Sequence, residues 1–141
     1  MKLKNIILTL GSLIALNSFV YAAESAEVLF DAKCAMCHNK TRPADMSKVV
    51  APALMGVMRH IKMAYPNKEE AVKFMVDYIL EPSKEKAICM PKKLERFGVM
   101  PSQKGNVTQA ELKKITSWMF DNFPAEGFRG MGHGNRKCQG Q

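Results

Sequence analysis

Five consecutive residues, Cys34-Ala35-Met36-Cys37-His38, set the terms on which this chain folds. Two thiols two residues apart, with an imidazole directly after the second, form a compact set of soft donors. The segments around them have the apolar spacing of helices. Asn67-Lys68-Glu69-Glu70 is a capping-box sequence, and Ala71, Phe74, Met75 and Tyr78 follow it at helical spacing until Glu81-Pro82. Thr108-Gln109-Ala110-Glu111 is a second such box, with Val107 and Leu112 placed to staple it. Leu112, Ile115 and Met119 then share a face beside Trp118, up to Phe123-Pro124. Ala26 to Lys33 predicts a third helix with Val28, Leu29 and Ala32 inward. Pro52 to Met63 predicts a weaker one, and Pro91 to Arg96 a short one opened by proline. No stretch sustains the alternation of a half-buried strand, so the expected class is all-α. Helices this short bury little, and small domains need added support. The donors at residue 34 stand where such support would attach.

The first 22 residues are expected to be a signal peptide. Lys2 and Lys4 open it, Ile6 to Leu16 is nearly all apolar, and Val20-Tyr21-Ala22 offers small residues at an exit site. The run is shorter than the roughly 20 apolar residues a membrane span requires. No later segment is long and apolar enough, so an exported, periplasmic protein without a retained span is expected. The domain would cover residues 23–127. With 141 residues there is room for one such unit. The formal net charge is +8, and removing two lysines leaves the protein basic. That favours an acidic partner or an anionic surface. Scattered lysines and export argue against nucleic acid.

The C-x-x-C-H spacing reads as attachment of one c-type haem. Thiols so spaced can add to the two vinyl groups of a haem, which leaves the following His38 to ligate the iron. A thioredoxin-like dithiol would need a βαβ setting. A zinc site would need a second ligand pair, whereas Cys89 and Cys138 stand alone.

From residue 25 to 123 the sequence resembles the small monohaem class I cytochromes c. The resemblance rests on the helix running into Cys34, on Ala51-Pro52-Ala53-Leu54-Met55-Gly56, and on Met100-Pro101 ahead of the last capped helix. It implies short helices wrapped around one covalent haem. It also implies that the Pro52 carbonyl accepts a hydrogen bond from the far nitrogen of His38, and that Phe30 and Trp118 pack where the first and last helices cross. Met100 would be the second axial ligand. The chain has 11 methionines, so residue type alone does not choose among them. Met90 also precedes a proline and is the alternative; His60 or an open site is the remaining one. A His/Met pair fills both axial positions and raises the potential, which implies single-electron transfer and no enzymatic substrate. An open or labile sixth site would instead suit a haem enzyme subunit or a sensor of gas or peroxide.

Lys40, Lys48, Lys92, Lys93 and Lys104 flank the segments expected around the haem and are candidates for docking acidic redox partners. A monomer is expected. Residues 128–141 are glycine-rich and basic, with no acid, and read as a flexible tail. In an oxidising compartment Cys89 and Cys138 are candidates for a disulfide, whose loop of about 50 residues would contribute up to about 4 kcal/mol.

Overall fold

The structure is a computed structural model that describes residues 24–88 and 91–128. The expected signal peptide, Cys89, Met90, Cys138 and nearly all of the expected tail lie outside these residues. Among the described residues the fold is helical throughout: α1 (Ala26–Lys33), α2 (Leu54–Ala64), α3 (Lys68–Leu80), α4 (Pro91–Phe97) and α5 (Gln109–Asn122), with one 3-10 turn at Met46–Lys48.

Local chemistry sets where these helices begin. The Ser25 hydroxyl accepts from the Val28 N–H at 3.2 Å, and the Asn67 side chain accepts from the Glu70 N–H at 3.0 Å. At α5 the box is reciprocal. The Thr108 N–H donates to the Glu111 carboxylate at 2.7 Å, and the Glu111 N–H donates to the Thr108 hydroxyl at 3.2 Å. At α3 only the first half of the expected box forms among the described residues. α2 starts at Leu54, two residues later than expected. The Ala53 backbone is extended, which leaves Pro52 outside the helix.

α5 is the element against which α1, α2 and α3 all pack. Leu29 and Phe30, Leu54, Met58 and Ile61, Ala71 and Met75, and Ile115 and Met119 form one buried cluster. Val76, Val107 and Leu112 form a second, so Val107 and Leu112 do meet under the start of α5. Thr116 is buried and donates its hydroxyl to the Leu112 carbonyl at 2.7 Å, which spares an unsatisfied polar group. At the α1–α5 crossing the Phe30 and Trp118 rings lie 5.4 Å apart, and Phe123 meets Trp118 edge-on.

The buried face of α1 differs from expectation. Val28 is 50% exposed and Ala32 is also exposed. Leu29 is buried as expected, and Phe30 shares its face toward α5, with Lys33 one turn on reaching Glu111. Phe30→Ala should therefore cost about 3–5 kcal/mol, while Val28→Ala should stay within about 0.5 kcal/mol. Denaturant midpoints measure both, and equal losses would contradict this face assignment.

The capping box also carries a pH signature. The hydrogen bonds from Thr108 hold the Glu111 carboxyl below its ordinary range, with Lys33 adding to the effect. A depressed carboxyl stabilises the fold above its unfolded pKa, and that contribution fades as pH falls through the folded value. Acidification from neutrality to about pH 3 should therefore weaken the native chain more than Glu111→Gln. Parallel pH–stability curves would refute this.

Candidate functional site at the end of the first helix

The C-x-x-C-H segment is a tight turn that closes α1. The Cys34 and Ala35 N–H groups both donate to the Phe30 carbonyl, at 2.8 and 3.0 Å. The Cys37 and His38 N–H groups both donate to the Cys34 carbonyl, at 3.1 and 2.9 Å. The Asn39 carbonyl then accepts from the Leu54 N–H at 2.9 Å, which binds the exit of the turn to the start of α2. Cys34 and Ala35 pack against the main core, while Cys37 is exposed and Met36 is 88% exposed. Both thiols are free. Burial pushes the Cys34 thiol up, partly opposed by Lys33.

His38 Nδ1 lies 2.9 Å from the Pro52 carbonyl oxygen. A carbonyl only accepts, so Nδ1 carries the proton and Nε2 keeps its lone pair. Among the described residues this is the ring's hydrogen bond, so Nε2 is the nitrogen available to a metal. Burial lowers the His38 pKa, and the Pro52 bond partly offsets that. Pro52 can serve because it precedes α2 and its carbonyl is free of the helix ladder. Orienting a ligating imidazole through its far nitrogen is how protein sites fix tautomer and ring plane.

The donor set can be tested against the candidate groups. Among the described residues, no three His, Cys, Asp or Glu side chains gather closely enough to hold one metal ion. Cys34, Cys37 and His38 therefore do not converge as a structural zinc site demands. Two free thiols beside one oriented imidazole do fit a haem, whose vinyl carbons and iron are separate points of attachment.

Met100 sits elsewhere. Gly98 ends α4 with φ 72°, and its N–H donates to the Leu94 carbonyl at 2.8 Å. The chain then turns into Val99-Met100-Pro101. Met100 is half-buried, and its backbone hydrogen-bonds the Tyr78 hydroxyl, which burial pushes up in pKa. No described hydrogen bond or core contact joins Met100 to His38: the turn at residue 34 belongs to α1 and α2, and Met100 to α3. His60 is half-buried on α2 next to Arg59.

No protein-family model matches the chain, and no solved structure does. A protein of Aquifex aeolicus (strain VF5), described as "Uncharacterized protein", is 30% identical over 103 residues, which is 64% of this chain and 68% of that one. The chain belongs to the family of that protein.

Charge around the site is more compensated than the sequence suggests. Lys40 reaches Glu27 and Asp31 at 2.8 Å and lies over the Trp118 ring at 5.9 Å. Lys48 lies 3.7 Å from Asp45, and Lys104 lies 2.5 Å from Glu81. Of the five flanking lysines, Lys92 and Lys93 on α4 remain outside such pairs among the described residues, with Lys93 over the Phe97 ring. The sequence reading also missed Tyr78 as the neighbour of Met100, having placed it only on an apolar helix face. It missed the stack that runs from Tyr65 through Phe74 to Tyr78, with ring centroids 4.8 and 6.0 Å apart. Aromatic spacing of four along α3 was the available signal.

Gly98 offers a direct test. A Cβ there meets no atom within 4 Å, so only the positive φ opposes it. Gly98→Ala should cost about 1–2 kcal/mol in thermal melts. No loss would mean the turn into Met100 does not depend on that conformation.

Proposed function

We propose that this chain is a periplasmic single-electron carrier. Cys34 and Cys37 would hold one haem c covalently, with its iron between His38 and Met100. The observation that carries the reading is the 2.9 Å contact between His38 Nδ1 and the Pro52 carbonyl. It sets the ring plane and leaves Nε2 free directly after a thiol pair spaced for haem attachment. The bound group would supply an iron that gains and loses one electron.

The chain's own residues account for the rest. The paired N–H donors at the Cys34 carbonyl hold both thiols and His38 in one turn, so thioether attachment and iron ligation are set together. The Pro52 bond holds the imidazole against rotation, which would keep it oriented toward the iron. A thioether from Met100 would occupy the opposite face, favour the reduced state and exclude outside ligands. With His38 and Met100 both supplied by the chain, the group would pass one electron without needing a bound substrate. Among the described residues no helix is long and apolar enough to cross a membrane. An acidic redox partner would meet α4, where Lys92 and Lys93 are not already matched by carboxylates among the described residues.

The visible spectrum of the exported, oxidised protein is the test, read alongside alkylation of its thiols. Neither Cys34 nor Cys37 should be alkylatable. The weak band at the red edge, which reports sulfur on ferric iron, should be present and should vanish in Met100→Ala. A band that survives the substitution would move the ligand to Met90 or another methionine. A wild type without the band would favour a haem enzyme subunit or a sensor. A colourless protein with two reactive thiols would end the haem reading.

A further inference from the structure

The last turn of any α-helix leaves carbonyls without intrahelical partners, and its negative dipole end attracts cations. α3 has no basic residue in its last turn. Its missing partners come from the segment just after Met100. The Ser102 hydroxyl donates to the Leu80 carbonyl at 2.6 Å, and the Gln103 N–H donates to the Ile79 carbonyl at 3.1 Å. The Lys104 ammonium pairs with Glu81, the residue that follows α3, and so brings positive charge to the helix terminus. Lys86 adds a second cation, 2.8 Å from Asp77 and 3.9 Å from Glu81. The Ser102 hydroxyl also accepts from the Lys104 N–H at 3.2 Å, which closes the loop on itself. Farther on, the Asn106 carbonyl accepts from Lys33, the residue before Cys34, at 2.9 Å. The segment is therefore braced at α3 on one side and at α1 on the other.

Resting on the reading of Met100 as an axial ligand, we propose that Ser102, Lys104 and Glu81 are positioning residues for that ligand. The segment that caps α3 is the one that carries the methionine, so drawing the Met100 backbone away from the iron takes the donors off two helix-end carbonyls. Ligand retention is thereby coupled to the end of a core helix. None of the three side chains touches the iron.

The test uses the full haem-loaded protein with two exposed-site variants, Ser102→Ala and Lys104→Gln. Imidazole is the probe, because it binds iron only where Met100 has left. Losing the hydroxyl should tighten imidazole binding about fivefold. Losing the exposed ion pair should tighten it about two- to fivefold. Ser102→Thr, which keeps the hydroxyl, should restore native behaviour. Amide hydrogen exchange at Gln103, which needs no bound group to be read, should speed up by matching factors. A native sulfur band with unchanged imidazole affinity in both variants overturns the proposal and leaves the His/Met reading standing. Faster Gln103 exchange without tighter imidazole binding also overturns it, since the cap would then be structural alone. A wild type lacking the sulfur band overturns the underlying reading itself.

Discussion

Phe30 joins the core of this protein to its chemistry. Its ring is almost fully buried and packs on Trp118 where α1 crosses α5. Its carbonyl accepts the N–H groups of Cys34 and Ala35, so the thiol-bearing turn starts from the same residue. The position of the turn is thus inherited from a packing contact, and packing in protein interiors tolerates little displacement. From there the order is passed on through backbone bonds. The Cys34 carbonyl fixes Cys37 and His38, Asn39 fixes the start of α2, and Pro52 fixes the imidazole. Each link is a hydrogen bond of 2.8–3.1 Å.

The result is a site held from two directions. α1 delivers the thiols and the backbone of His38, and the extended residues before α2 deliver the acceptor for its ring. Lys40 adds a third restraint by reaching back to Glu27 and Asp31 while lying over Trp118. These exposed ion pairs contribute little energy singly. Their placement matters more, because they tie the exit of the turn to the helix that enters it.

Much of this was legible in the sequence where the causes are local. The α1 bounds match because Ser25 is a capping residue and Cys34 begins the tight turn. The α5 start follows from Thr108 and Glu111, whose hydrogen bonds span three residues. The site turn follows from the spacing of Cys34, Cys37 and His38. The Pro52 contact came from resemblance to a known family, since no spacing rule links a histidine to a carbonyl 14 residues away. The inward face of α1 was misjudged because Val28 and Ala32 are apolar by type, whereas orientation was decided by where α5 lies. The pairing of Lys40 and Lys104 was invisible for the same reason: their carboxylates come from other elements. Ser102 gave no sign of its role, because its partner is a carbonyl 22 residues away that becomes a neighbour only after folding.

The crossing of α1 and α5 brings together the two ends of the described chain, and that dictates an order of events. A helix of eight residues is too short to persist alone in water, where about 12–15 are needed for marginal helicity. The main packing partner of its apolar face is α5, which is made later. A chain emerging N-terminus first therefore carries Cys34, Cys37 and His38 ahead of their main packing partner until residues 109–122 have been made. The thiols are most accessible before the fold closes, and α5, the last of the described helices, is the one that ends that interval.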